Sequence, residues 1–206
     1  MSGYLSFVLF AALLATAPGP DTFLTLRASV VGGRRRGLLT AAGITVAGTL
    51  QGVLAATGLG AVLAHAEPVF LAVRWAGVAY LTWLGVSALR DALRNDGRGW
   101  AVGTGGGTTR PWVAFRQGFL CNITNPKVLA FNLAVLPQFV GDGQGLPALL
   151  VYALTLVVIG AVVLVTVVWI AGKATTALAR PRLRRGVDGA TGVVMLGFAT
   201  ALAVEA

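Results

Sequence analysis

The chain has 206 residues, of which 56% are hydrophobic and only 11% are charged. A soluble domain carries about 25% charged residues, because its surface needs polar cover, so this composition excludes a soluble globular protein. The net charge of +9 would suggest a nucleic-acid partner in a soluble protein, but the positions of the basic residues indicate membrane topology instead.

Six apolar segments have the length of about 20 residues that a transmembrane helix needs. We place them at 4–26, 39–63, 68–89, 113–138, 147–172 and 187–204. The first is predicted to be a retained span and not a signal peptide, because no Lys or Arg precedes Arg27 to form a basic n-region. The fourth is interrupted by Asn125-Pro126-Lys127, so a re-entrant segment and a five-span topology stay open as alternatives.

Basic residues occur in every second link between the predicted spans. The links after spans 1, 3 and 5 contain Arg27, Arg34, Arg35, Arg36, Arg90, Arg94, Arg98, Arg110, Arg116, Lys173, Arg180, Arg182, Arg184 and Arg185. The links after spans 2 and 4 and both termini contain none. Because Lys and Arg accumulate in cytoplasmic loops, the sequence predicts that the basic links are cytoplasmic and that both termini face outward.

The longest basic link, 91–112, contains the flexible run GTGGGTT at 103–109. It divides a single transmembrane domain, 1–206, into a first half, 1–90, and a second half, 113–206, with three spans each. One half starts outside and the other inside, so the halves have opposite orientations, which is the topology of an inverted repeat. The predicted fold is therefore all-α, with six transmembrane helices in two inverted three-helix repeats. Glycine-rich helix faces also permit a homodimer.

The sequence Pro18-Gly19-Pro20 lies inside span 1. Proline removes a backbone donor and clashes with the preceding turn, and glycine adds freedom, so we expect the helix to break here. Broken spans mark binding sites in transporters, although an ordinary packing kink is the alternative. Asp21 follows directly, either as a cap in the first turn of the resumed helix or as a counter-ion for Lys127, a substrate ammonium or a coupling proton.

A second break is expected at Asn125-Pro126-Lys127 in span 4, with Asn122 one turn earlier. A Lys at mid-depth costs at least about 2.5–3.5 kcal/mol on insertion. Lys127 therefore needs a partner, a hydrated cavity or an anionic ligand, unless it snorkels to the interface. Both breaks lie in the first span of their half, which is the pattern that best marks a transport site. We predict that the two breaks together bind the substrate.

Span 2 adds Gln51 to the predicted substrate site, and its Gly48-x-x-x-Gly52 spacing permits close helix packing. The single histidine, His65, and the single cysteine, Cys121, do not make a metal or disulfide framework, so no metal or other cofactor is predicted. The sequence contains no P-loop, nucleophile elbow or HExxH motif. We therefore predict a transporter and not an enzyme, with a metal-ion exporter and a membrane thiol–disulfide carrier as the alternatives.

Three segments resemble the signatures of the lysine exporter (LysE/RhtB-type) family. They are PGPDTFLTLRASVVGGRRRGLLTAAGITVAG at 18–48, GVAYLTWLGVSALR at 77–90 and FRQGFLCNITNPKVLAFNLAVLPQFV at 115–140. They stand in the family's order and spacing, and the resemblance covers nearly the whole chain.

The resemblance implies a multi-pass protein of the bacterial inner membrane that exports amino acids or their derivatives, or another small metabolite, driven by the proton motive force. The family's two helix breaks correspond to 18–20 and 125–127. Two positions depart from a uniform family pattern. The acid at the position of Asp21 varies among such proteins, and many carry histidine near the position of Gln51.

Overall fold

The computed structural model describes residues 2–58, 67–94, 110–132, 136, 139, 145–173 and 181–204. All regular secondary structure of these residues is helical, which confirms the predicted all-α class. The described helices are α1 (Ser2–Thr16), α2 (Pro20–Ala56), α3 (Glu67–Arg94), α4 (Pro111–Ile123), α5 (Pro126–Ala130), α6 (Leu146–Lys173) and α7 (Pro181–Val204). His65, the run 103–109 and most of 133–144 lie outside the described residues.

The helix breaks expected in spans 1 and 4 are both present. α1 ends at Thr16 and α2 begins at Pro20, while α4 ends at Ile123 and α5 begins at Pro126. Each new helix starts with proline, whose missing N–H costs nothing at the first helical position. Proline therefore ends one helix and starts the next at each break.

The connection between the predicted spans 1 and 2 differs from the expected loop. α2 runs for 37 residues, and its change of direction is confined to Gly33, with φ 76° and ψ 178°, a conformation that glycine adopts without the cost of a Cβ atom. We call the part before Gly33 α2a (20–32) and the part after it α2b (34–56). Arg27 lies within α2a and is 1% exposed, so the expectation that it lies in a loop is wrong.

α2b and α4 pack in near backbone contact. A Cβ atom on Gly43 would overlap the carbonyl group of Phe115, and one on Gly118 would overlap the carbonyl group of Thr40. Small residues allow membrane helices to approach this closely. The two glycines therefore set the distance between the helices that carry the polar residues of the candidate site.

The outer surface of α6 is apolar along one face. Its exposed residues include Val151, Leu154, Val158, Val162, Val165 and Trp169, and their spacing of three to four residues places them on one side of the helix. Among the described helices, Pro20–Ala56, Leu146–Lys173 and Arg185–Val204 are long and apolar enough to cross a membrane. An exposed apolar face of this extent is what a lipid-facing helix requires.

Candidate functional site

The two helix breaks lie against one another. Asp21 is the second residue of α2, and Lys127 is the second residue of α5. Each charged side chain reaches across to the opposite break. The breaks therefore form one site, although about a hundred residues separate them along the chain.

The carboxylate of Asp21 is bonded to two side-chain amides of the second break. Asn122 Nδ2 and Asn125 Nδ2 each donate a hydrogen bond to Asp21 Oδ2, both at 2.9 Å. The thiol of Cys121, a weak donor, lies beside the same carboxylate. Asp21 also stands in the first turn of α2, where the helix dipole favours a negative charge.

The ammonium group of Lys127 is bonded to the end of α1. Lys127 Nζ donates to the carbonyl oxygen of Leu14 at 2.5 Å and to that of Ala17 at 2.8 Å. The last carbonyl groups of a helix have no partners within it, and a cation there is favoured by the helix dipole. Lys127 thus satisfies the backbone that the first break exposes.

Asn125 and Gln51 fix the second break. Asn125 Oδ1 accepts a hydrogen bond from the backbone N–H of Lys127 at 3.1 Å and caps α5. Gln51 Nε2 donates to the backbone carbonyl of Asn122 at 2.7 Å and to Asn122 Oδ1 at 3.2 Å. The amide of Asn122 is thereby oriented so that its Nδ2 faces Asp21.

A cavity of about 100 Å³ lies beside the breaks. Its polar lining comprises Asp21, Thr22, Thr45, Asn122, Asn125, Lys127 and Asn132. Its apolar lining includes a continuous face of α6: Leu156, Val157, Gly160, Ala161, Val163 and Leu164. A single water needs about 10–15 Å³ of cavity volume, so the cavity has room for several waters or a small solute.

The predicted site residues occupy four kinds of position, and one of them, that of Pro18, lies outside this cavity. Gly19, Asp21, Asn122, Asn125 and Lys127 line it. Gln51 lies behind Asn122, which it holds in place. Pro20 and Pro126 start the two resumed helices, while Pro18 lines a separate surface groove beside Phe198 of α7.

Two hydrogen-bond acceptors on the cavity lining lack partners among the described residues. They are Asp21 Oδ1 and Asn132 Oδ1, both buried atoms. Asn132, which sequence reasoning did not assign to the substrate site, is 4% exposed. A buried acceptor without a donor costs free energy, so this part of the cavity is suited to a group that carries N–H or O–H donors.

A further polar cluster, which we call the Arg27 cluster, joins three helices: Arg27 of α2a, Asp91 of α3 and Asp188 of α7. Arg27 Nη2 lies 2.7 Å from Asp91 Oδ2, and Arg27 Nε is bonded to Asp188 Oδ1. The carboxylates are largely buried, with side-chain exposures of 22% and 11%. Sequence reasoning missed this cluster, for which the signal was an acid, Asp188, at the edge of an apolar span.

A metal site receives no support from the residues that the structure describes. They contain no group of three or more His, Cys, Asp or Glu side chains that could hold a metal ion. Cys121 is buried and free, and it is the single cysteine of the sequence.

Comparison with known proteins gives matches along nearly the whole chain. Residues 12–206 match the family model described as LysE type translocator. A leucine efflux protein of Klebsiella pneumoniae is 29% identical, with 97% of this chain and 94% of that protein covered. A homoserine/homoserine lactone efflux protein of Salmonella typhimurium is 27% identical, with 94% and 92% covered.

A threonine efflux protein of Escherichia coli is 26% identical, with 98% of each chain covered. No solved structure is significantly similar to this chain.

Proposed function

Because this chain belongs to the LysE type translocator family, we propose that it exports amino acids or amino-acid derivatives across the bacterial inner membrane. The relatives named as leucine, homoserine and threonine efflux proteins support this substrate class. The observation that carries the proposal is structural. Two broken helices meet at one cavity, which presents the carboxylate of Asp21 and the ammonium of Lys127.

The site offers complementary groups to both charged ends of an amino acid. Asp21 Oδ1 and Asn132 Oδ1 accept hydrogen bonds from the substrate ammonium, since both atoms are buried without partners among the described residues. Lys127 donates to two carbonyl groups of α1 and has a third N–H for the substrate carboxylate. Backbone N–H groups at the start of α2 add to this anion site, because Gly19 supplies no side-chain cap there.

The proposed architecture is a pair of inverted three-helix halves with six spans. The packing of the described helices supports it, because α2b contacts α6 and α3 contacts α7. α2b and α6 are the second spans of their halves, and α3 and α7 are the third spans. An exchange of the two halves therefore preserves both contacts. The two breaks also correspond, since each resumes with proline followed by a charged residue.

The proposed orientation places the basic links in the cytoplasm and both termini outside. Arg27 contacts Asp91 near the end of α3 and Asp188 near the start of α7. The guanidinium of Arg34 lies 4.6 Å from the centre of the Trp169 ring, near the end of α6. These contacts bring the end of α3, the end of α6 and the start of α7 close to α2 near Gly33, which supports a common side for the basic links as the positive-inside rule requires.

Transport then proceeds by alternating access, in which the two halves expose the cavity first inward and then outward. The proton motive force drives this cycle. The rival thiol–disulfide carrier requires a pair of cysteines that can form a disulfide, and the sequence has one cysteine.

The test is amino-acid efflux from cells with and without the protein. Cells are loaded with dipeptides that hydrolyse inside, and the appearance of each amino acid outside is followed with and without collapse of the proton gradient. Lys127→Met should reduce export by about 10- to 100-fold, because it removes hydrogen bonds made by a charged group. The matched control is Lys173→Met, which changes an exposed lysine at the end of α6.

The amount of each variant in the membrane is measured in the same cells. Normal export by a fully inserted Lys127→Met protein would rule out the proposed carboxylate contact. Export that persists after the proton gradient has collapsed would rule out the proposed energy source.

A further inference from the structure

The described lining of the cavity contains groups for the charges of an amino-acid backbone and none for a charged side chain. Resting on the proposed export function, we propose that the substrate is a zwitterionic amino acid with an uncharged, apolar side chain. We further propose that α6 forms the side-chain subsite and that Gly160 sets its size.

The charge of the cavity limits which substrates it can bind. Among the described residues that line it, one acid, Asp21, and one base, Lys127, carry a formal charge. An α-ammonium and an α-carboxylate use both of them. A lysine or glutamate side chain would then bring a further charge into a buried site without a partner, which is strongly unfavourable.

The two acceptors without partners among the described residues locate the substrate ammonium within the cavity. Asp21 Oδ1 and Asn132 Oδ1 belong to the lining formed by the start of α2 and the residues after α5. They fix the ammonium at that wall of the cavity. The side chain of the substrate then faces the apolar part of the lining, to which α6 contributes more residues than any other described helix.

The α6 wall of the cavity favours an apolar substrate side chain. Its lining residues are Leu156, Val157, Gly160, Ala161, Val163 and Leu164, all of them apolar. These side chains offer no hydrogen bonds to a polar or charged substituent. They can bury apolar surface of a substrate, which is favourable in proportion to the area removed from water.

Gly160 determines how much room this wall leaves. It lines the cavity, and a Cβ atom added there would meet no atom of the described residues within 4 Å. The space beside Gly160 is therefore part of the cavity and is not filled by any of the described helices. A larger residue at this position would project into the side-chain subsite without displacing the protein's own atoms near its Cβ.

The test uses the purified protein in proteoliposomes loaded with alanine, leucine, norleucine or lysine. Norleucine and lysine have side chains of similar length and differ in the terminal ammonium, so the pair isolates the effect of charge. We expect initial efflux of norleucine to exceed that of lysine by about 100-fold or more, which is the cost of an unpaired buried charge.

Variants of α6 test the position of the subsite. Gly160→Leu should lower leucine and norleucine efflux by about 10- to 200-fold, the range for a few methylene groups in an apolar pocket, while alanine efflux changes little. Gly160→Ala should lower leucine and norleucine efflux by a smaller factor, again with little change in alanine efflux. Val162→Leu, which adds bulk to an exposed face of the same helix, should leave all four rates unchanged.

The possible outcomes separate this inference from the proposed function. Efflux of lysine at the rate of norleucine would overturn the inference on substrate class and leave amino-acid export intact. An unchanged ratio of leucine to alanine efflux in Gly160→Ala and Gly160→Leu would overturn the assignment of the subsite to α6. Absence of efflux for all four amino acids, with the protein verified in the vesicles, would overturn this inference. Absence of efflux for every amino acid in the dipeptide-loaded cells as well would overturn the proposed function.

Discussion

The charged side chains of the helix breaks and those of the Arg27 cluster differ in the partners that satisfy them. In the Arg27 cluster, one guanidinium is bonded to two carboxylates, those of Asp91 and Asp188. At the breaks, Asp21 accepts from neutral amides, and Lys127 donates to neutral backbone carbonyls. Opposite charges are thus paired directly in the cluster and held apart at the breaks.

This difference indicates different roles. Charges that pair with each other in a buried place compensate one another, and removal of one partner leaves an uncompensated charge that is very costly. Charges held by neutral dipoles keep their charge available for a ligand of opposite sign. We therefore expect changes in the Arg27 cluster to act mainly on stability, and changes at Asp21 or Lys127 to act mainly on transport.

The largest expected effect is on stability, in Arg27→Met. This change removes the cation and leaves two largely buried carboxylates from α3 and α7. We expect the free energy of unfolding to fall by about 3–5 kcal/mol, measured by thermal or denaturant unfolding of the protein in detergent. The matched control is Arg34→Met, which removes a cation stacked on Trp169 and should cost about 1 kcal/mol.

A triple variant sharpens this prediction. Arg27→Met combined with Asp91→Asn and Asp188→Asn leaves no buried carboxylate at the cluster, so it should be more stable than Arg27→Met alone. Equal stability of Arg27→Met and Arg34→Met would show that the cluster does not hold the helices together, and the contrast with the breaks would fail.

The positions of the breaks could be predicted from the sequence because their cause is local. Proline at residues 18, 20 and 126 lacks a backbone donor wherever the rest of the chain lies. The bonding of Lys127 could not be predicted in the same way. Its partners are carbonyl groups at the end of α1, more than a hundred residues away in the sequence. They are available to Lys127 because α1 ends beside its ammonium group.

The Arg27 cluster shows a different limit. Arg27 is separated from Asp91 by 64 residues and from Asp188 by 161 residues. Each of the three lies at or near the predicted end of a span, where a charge is normally solvated. The rule that assigned the basic links by charge does not report which of those charges are buried, because burial depends on how the ends of α2a, α3 and α7 pack.

α2 shows why local conformation was only partly predictable. The sequence RASVVGGRRRG at 27–37 is predicted as part of a link because it separates two apolar segments and contains four arginines. The structure keeps the helix on both sides and places the whole change of direction at Gly33. One residue with positive φ is sufficient to turn the chain, and composition does not distinguish this solution from a longer loop.

The smallest expected effect on stability, and the most direct test of the contrast, comes from the same substitution at two places. Asp21→Asn keeps an oxygen that can accept hydrogen bonds from Asn122 and Asn125, so we expect the free energy of unfolding to change by no more than about 1 kcal/mol. Amino-acid efflux should fall by at least about 10-fold, because the variant lacks the charge that faces the substrate ammonium. Asp188→Asn removes a charge bonded to buried Arg27 and should cost about 1.5–3 kcal/mol of stability, with export reduced only as far as folded protein is lost. Unfolding in detergent and efflux per inserted molecule measure the two quantities independently. If Asp21→Asn destabilises the protein as much as Asp188→Asn does and exports normally, the charges at the breaks serve the fold, and the substrate ammonium must bind elsewhere.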